Sequence, residues 1–253
     1  PHSPAYICFS SGTTGTPKAI LCTHSGVTSL LRSPIARLHV TPSHTVSQTL
    51  APQFDGALLE VFATLCHGGT LLLKDPLNPF AHLYGVGSLM LTPSLALELD
   101  PEDFIHDVRY IYFAGEVLPQ ATADRWTKGK AEVYNVYGPT ETHILATAQR
   151  VQNGKPVTIG RPLMSTRVYI LDKNGVLLPP LVAGEIFIGG ISVSRGYLGL
   201  EEENALRFVP DTVSPDGSEG KGKMYRTGDW GYWTLEGEVA FLGRTDRQVK
   251  VGG

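Results

Sequence analysis

A chain of 253 residues that is 42% hydrophobic, 18% charged and 9% aromatic can build a substantial core, which excludes disorder throughout. Its formal charge of −3 gives no basic footprint for nucleic acid or an anionic membrane. Its three cysteines, Cys8, Cys22 and Cys66, lack CxxC or CxxH spacing, which argues against a disulfide framework or zinc site and for a reducing cytoplasm. No apolar run approaches the roughly 20 residues that span a bilayer, and no secretory leader opens the chain, so a soluble cytoplasmic protein is expected. From Pro1-His2 to Val251-Gly252-Gly253, the chain reads as a piece of something longer.

In chain order, AYICF, HTVSQTL, TLLLK, SLMLT, VRYIYF and AEVYNVY read as strands. Between them, SGVTSLLRSPIARL, DGALLEVFATLC and PQATADRWTKG have helical spacing, with Leu58, Leu59, Phe62 and Leu65 expected on one helix face. Residues 1–148 therefore read as an α/β lobe, with ligand sites expected in loops beyond the carboxyl ends of its strands. From residue 149 to 253 the texture changes. TRVYILD, GEIFIGG, KMYRTGDWGYW and GEVAFLGRTDRQVKV, punctuated by Gly and Pro turns, predict a β-rich lobe, and VSPDGSEGKGK predicts an exposed mobile loop.

The stretch FSSGTTGTPKAI carries the first chemical signal. Gly12 and Gly15 let successive N–H groups point into one concavity; Ser10, Ser11, Thr13, Thr14 and Thr16 add hydroxyls, and Lys18 a flexible cation. Such a cradle suits a polyphosphate, whereas the same residues also read as a solvated loop between two strands. It is not a Walker loop, because Pro17 stands where GxxxxGK[ST] requires glycine.

SSGTTGTPKAI, FDGALLE, NVYGPTETHI, GEIFIGGISVSRGYLG, YRTGDWGYW and FLGRTDRQVKV, in this order between Ala5 and Gly253, resemble the adenylation domains of nonribosomal peptide synthetases, within the acyl- and aryl-CoA ligase and luciferase superfamily. One departure is Ala19, where the family has glycine. The resemblance implies the large N-terminal core of an adenylate-forming enzyme: an α/β lobe binding ATP and substrate, then a β-rich distorted-barrel lobe with ribose and hinge motifs. The small C-terminal subdomain, with its catalytic lysine, is expected to be missing.

The implied activity is attack of a carboxylate on the α-phosphate of ATP, giving an acyl-adenylate and pyrophosphate, followed by transfer to a thiol. That chemistry needs alignment and charge neutralisation more than a protein nucleophile. By the same resemblance Ser11, Gly12, Thr13, Thr14, Gly15 and Lys18 hold phosphates, and Thr140 bonds a phosphate oxygen while Glu141 holds Mg²⁺. Asn135, Tyr137 and Gly138 with Gly115 and Glu116 meet the adenine, Asp229 and Arg244 the ribose or phosphate, and Asp246 is the hinge. Each role suits its side chain, an amide for a base edge and a hard carboxylate for magnesium. Taken alone, NVYGPTE also reads as a Gly-Pro turn opening a helix, Asp229 as a turn aspartate and Arg244 as a surface arginine.

Asp55 matches the family's partner for a substrate α-ammonium, which favours an amino acid, although Asp is also a common helix N-cap. Gly56, Leu59, Met90, Tyr112, Ala114, Val136, Ile144 and Leu145 match the family's substrate pocket; their apolar character, with small Gly56 and Ala114 leaving volume, predicts an apolar or aromatic amino acid. These residues could equally be plain core. The implied acceptor is a carrier-protein phosphopantetheine thiol. The alternatives are a ligase using free coenzyme A and a non-catalytic nucleotide-binding module.

Overall fold

The computed structural model describes residues 2–10, 17–104, 106–214 and 222–244. In chain order its strands are β1 (Pro4–Ser10), β2 (Lys18–Thr23), β3 (Thr45–Ser47), β4 (Thr70–Leu72), β5 (Ser88–Leu91), β6 (Tyr110–Phe113), β7 (Glu132–Tyr137), β8 (Thr147–Val151), β9 (Arg161–Pro162), β10 (Thr166–Leu171), β11 (Gly184–Gly190), β12 (Phe208–Pro210), β13 (Lys223–Trp233) and β14 (Val239–Arg244). The α-helices are α1 (His24–Leu30), α2 (Asp55–Cys66), α3 (Pro93–Leu97), α4 (Gln120–Trp126) and α5 (Glu201–Arg207).

Contacts gather these elements into two compact units. One draws on Pro1–Leu30, Gly138–Thr147 and Ile159–Val249, the other on Leu31–Tyr137 and Ala148–Thr158. A division by sequence texture at residue 148 is continuous along the chain; the contact units are not, because pairing between distant segments decides them. Ile20 in β2, for example, forms an antiparallel bridge with Tyr197.

The unit built on Leu31–Tyr137 is α/β. Its strands run in the order β4-β3-β5-β6-β7-β8, and β4, β3, β5, β6 and β7 pair in parallel. Side-chain alternation gives the sheet two distinct faces. Leu89, Leu91, Ile111, Phe113 and Val133 pack on one face into a core with Phe104 and Trp126, whose rings lie 5.8 Å apart. Met90, Tyr112 and Tyr134 are register partners on the other face, which Ala114 and Val136 continue.

Several expected elements are shorter than their apolar runs. HTVSQTL and TLLLK each contribute three strand residues, and the helix expected over SGVTSLLRSPIARL stops at Leu30. Pro34 lacks a backbone donor and restricts its predecessor, and Leu38 and His39 then take positive φ values of 56° and 53°, geometries that no α-helix continues. The expected apolar face of α2 also needs correction. The helix buries Gly56, Ala57, Leu59, Glu60, Ala63 and Thr64, while Leu65 is 61% exposed. Small side chains on this face let the helix backbone lie close to its neighbours, and the bulkier Leu65 is turned outward.

Glu60 is fully buried on that face, where its carboxylate accepts the backbone N–H groups of Thr49 (3.0 Å) and Leu50 (3.3 Å). Burial pushes its pKa well above the usual carboxylate range, against the opposing pull of those N–H groups. A raised folded-state pKa makes Glu60's contribution fully present below the unfolded pKa, and that contribution is lost as pH rises through the folded value. In Glu60→Gln this pH-dependent part disappears, so urea midpoints measured from pH 5 to pH 8 should slope less than those of the wild type. An unchanged slope would show that Glu60 does not contribute.

The other unit is β-rich and antiparallel. Its main sheet runs β10-β11-β13-β12, with β14 on β13. Tyr169, Leu171, Phe187 and Met224 form one cluster on it, while Ile20, Cys22, Tyr197, Phe208 and Tyr225 form another. The β1–β2 hairpin is tied in by backbone bonds from Leu21 N to Gly196 O, Arg195 N to Leu21 O and Leu198 N to Ala19 O. That seam places the start of β2 beside Tyr197.

Candidate active site

Lys18 is the first residue of β2, and its ammonium donates to Glu203 Oε1 at 2.6 Å while lying 5.1 Å from the centroid of the Tyr197 ring. Glu203 projects from α5 and also meets Arg207 Nε at 3.5 Å, within the same helix. The hydrogen bond from Lys18 is the largest influence holding the Glu203 carboxyl below its ordinary pKa. From the other end of the phenol, the Tyr197 hydroxyl donates to Glu141 Oε1 at 2.7 Å. A cation expected to hold phosphate and a carboxylate expected to hold magnesium thus meet on one tyrosine.

Glu141 is buried, in a 3₁₀ turn over Thr140–Thr142. Its backbone carbonyl accepts Ser194 N at 2.8 Å, and the Thr140 carbonyl accepts the Cys22 thiol at 3.7 Å. His143 fixes the end of the turn, in the left-handed region at φ 57°. Its Nε2 accepts from Thr23 N at 2.8 Å and its Nδ1 faces Ser192 O at 2.6 Å, an arrangement that assigns the proton to Nδ1. Burial lowers the His143 pKa, which keeps the ring neutral as this pairing requires. Ile144 and Leu145 follow as buried residues.

In the same unit Asp229 and Arg244 face each other across β13 and β14, and Arg244 Nη1 donates to Asp229 Oδ1 at 2.8 Å. Asp229 is 5% exposed, and its backbone N–H donates to Thr227 Oγ1, whose own hydroxyl donates to Ile186 O. Arg244 therefore orients the carboxylate as well as standing beside it.

The α/β unit carries the remaining described candidates. Asp55 is the first residue of α2, and the N-cap is Phe54 with no side-chain bond, so the capping alternative for Asp55 does not hold. Its carboxylate stands at the positive end of a twelve-residue helix. Met90, Tyr112, Ala114 and Val136 share the sheet face opposite the Trp126 core, and Leu59 is buried in α2. Tyr112 spends its hydroxyl on His39 Nδ1 at 2.5 Å and stacks on Tyr134 at 5.3 Å.

The volume expected beside Gly56 is filled. A Cβ there would lie 2.4 Å from Leu50 Cδ1, so the glycine makes room for a leucine already in place. At the carboxyl ends of neighbouring strands, Gly115 follows β6 with φ 85° and Tyr137 ends β7 half-buried. Glu116 accepts from Ser94 N and Oγ at 3.0 and 2.6 Å, which anchors the loop to the start of α3. Asn135 Nδ2 donates to Thr158 O at 2.7 Å, so its amide donor is engaged within the protein.

Ser11, Gly12, Thr13, Thr14, Gly15 and Asp246 lie outside the described residues. Sequence reasoning missed Tyr197, Glu203 and His143 as neighbours of the candidate site residues. Tyr197 lay within a motif, SRGYLG, quoted for its resemblance alone; Glu203 sits in a run of acids on a surface helix and carried no local signal.

Among the described residues no group of three or more His, Cys, Asp or Glu could hold a metal ion. The single buried carboxylate of Glu141 nevertheless fits Mg²⁺, which is commonly held by one or two carboxylates together with substrate phosphates and water. No helix among the described residues is long and apolar enough to cross a membrane.

Comparison with known proteins agrees with the family resemblance carried by the motifs. Over 249 residues, the chain is 46% identical to the nonribosomal peptide synthetase ataP of Aspergillus terreus, covering 98% of this chain and 16% of that protein. Over 255 residues it is 46% identical to the nonribosomal peptide synthetase echPS of Aspergillus ruber, covering all of this chain and 12% of that one. Among solved structures, holo-PA1221, an NRPS protein containing adenylation and PCP domains bound to a vinylsulfonamide inhibitor, superposes with a TM-score of 0.87 at 32% identity, over 99% of this chain and 45% of that one. The fold is accordingly that of the N-terminal core of the adenylate-forming superfamily. Residues 1–198 match the family model described as AMP-binding enzyme, and the chain belongs to that family.

Proposed function

We propose that this chain carries the ATP- and substrate-binding core of an enzyme that activates an α-amino acid as its adenylate and passes it to a carrier-protein phosphopantetheine thiol. The observation that carries the reading is the meeting of Lys18 and Glu141 on Tyr197. A cation and a hard carboxylate that share one tyrosine suit a polyphosphate and its magnesium. In the reaction a carboxylate oxygen bonds to the α-phosphorus and the bond from that phosphorus to the bridging oxygen breaks, releasing pyrophosphate. Lys18 would neutralise phosphate charge, Thr140 would bond a phosphate oxygen, and Glu141 would hold Mg²⁺, which when bound spreads the charge of the leaving group.

Asp229, oriented by Arg244, offers a carboxylate to the ribose hydroxyls, and Tyr137, Gly115 and Glu116 would serve the adenine. Asp55 would receive the substrate ammonium, a partner that repays the desolvation of a carboxylate. The sheet face bearing Met90, Tyr112, Ala114 and Val136, with Leu59 buried in α2, supports an apolar or aromatic side chain. Because Leu50 fills the space beside Gly56, the pocket is smaller there than glycine alone suggests. The carrier thiol is supported by the PCP domain present in the similar PA1221 protein.

The expected result, in the full-length protein, is ATP–pyrophosphate exchange that depends on an apolar or aromatic α-amino acid and is absent with its deaminated analogue. Exchange only with acids lacking an amine would replace this reading with a ligase using free coenzyme A. No exchange and no calorimetric binding of ATP with Mg²⁺ would replace it with a non-catalytic module.

A further inference from the structure

We propose that Tyr197 is a positioning residue of the nucleotide site, holding Glu141 through its hydroxyl and Lys18 through its ring face. The inference rests on the adenylation reading and adds a residue to it. Tyr197 reaches Glu141 Oε1 at 2.7 Å and has the Lys18 ammonium 5.1 Å from its ring centroid, so a single rigid side chain sets the spacing of the two charges. A cation over an aromatic face is attracted by the ring quadrupole, and a hydrogen bond to a carboxylate is among the stronger ones available.

The tyrosine is itself held on several sides. Its backbone N–H donates to Asn204 Oδ1 and its carbonyl accepts Asn204 Nδ2, both at 2.7 Å, so one side chain from α5 clamps both backbone groups. Ile20 bridges it from β2, and Phe208 packs edge-on at 5.3 Å. Little freedom remains for the ring. Burial, followed by the charge of Glu141, drives the phenol pKa far upward. Tyr225 approaches the same hydroxyl at 3.4 Å, and its pKa too is raised, chiefly by burial.

Glu203 completes the arrangement. It takes the Lys18 ammonium at 2.6 Å from α5, the helix that also supplies Asn204. Lys18 is thus held in place by a carboxylate and a ring, both fixed by the stretch from Tyr197 to Arg207.

The test compares Tyr197→Phe, which keeps the ring and removes the hydroxyl, with the wild type in the full-length protein. Exchange is followed against Mg²⁺ concentration at saturating ATP, and Mn²⁺ binding in the presence of ATP is counted by electron paramagnetic resonance. Losing one hydrogen bond to a charged group should raise the half-saturating Mg²⁺ roughly tenfold and weaken Mn²⁺ binding by a similar factor. In Glu141→Gln, the added Tyr197→Phe change should shift neither value further, because the two act through one contact. Unchanged metal dependence in folded Tyr197→Phe, whatever its melting temperature, would overturn the proposal and leave Tyr197 a core residue. Should the wild type show no exchange with any acid, the adenylation reading fails by itself, and the Mn²⁺ titration still decides the role of Tyr197.

Discussion

Replacing Gly138 with alanine is expected to destabilise the β-rich unit by about 3 kcal/mol, near the upper end of what overpacking costs. A Cβ at this position would sit 2.3 Å from Ile144 O, 2.6 Å from Leu145 Cα and 2.8 Å from Ala146 N. All three are backbone atoms, so no side-chain rotation relieves the clash. The segment cannot simply retreat, because its neighbours are tied down: His143 is bonded to Thr23 and Ser192, and the Ala146 carbonyl accepts Leu163 N at 2.8 Å. Urea unfolding should show the loss as a lower midpoint. Gly129→Ala is the comparison, since its new methyl meets nothing nearer than Trp126 O at 3.9 Å and should leave the midpoint almost where it was. Equal effects at the two positions would contradict the steric account. The change should also lower exchange activity, because the same backbone carries Thr140 and Glu141.

Asp229→Asn should raise the KM for ATP by roughly two orders of magnitude, with a smaller change in kcat, because the proposed charged acceptor of ribose hydroxyls is lost together with its ion pair to Arg244. The substitution preserves shape, and the backbone bond from residue 229 to Thr227 Oγ1 does not involve the altered side chain. The paired strands β13 and β14 should therefore keep their register, and the melting temperature should move little compared with the kinetic effect. A variant that melts early yet binds ATP normally would assign Asp229 to folding. A variant with unchanged KM and unchanged melting would remove it from both roles.

Much of the candidate site was legible because motifs keep chemistry local. Lys18 closing a hydroxyl-rich loop, Thr140-Glu141 after a Gly-Pro turn, and Asp229 within YRTGDW each declare a side chain suited to ATP. The two textures of the fold were legible for a similar reason: parallel strands buried on both faces leave short apolar runs, as in SLML and YIYF, whereas hairpins leave alternation and turns. What local spacing does not carry is pairing across distance. Nothing in the surroundings of Glu203 announces Lys18, and nothing near Thr23 announces His143, because those partners are chosen by the seam between β2 and residues 195–198. The face of α2 was misread for a different reason. Leucine spacing suggested that Leu65 would be buried, whereas close packing favoured Gly56, Ala57 and Ala63, and a buried Glu60 satisfied backbone donors that no apolar residue could.

The seam between β2 and residues 195–198 also bears on how the chain reaches its native state. Joining Ile20 to Tyr197 closes a very long loop, and the entropy of that closure is spent before the contacts it permits can stabilise anything. During synthesis the β1–β2 hairpin emerges long before its downstream partner, with Ile7 and Phe9 remaining exposed even in the finished fold. Until translation passes Leu198 the hairpin lacks its docking edge, so nascent chains spend that interval presenting an apolar, unpaired strand margin to chaperones and to one another.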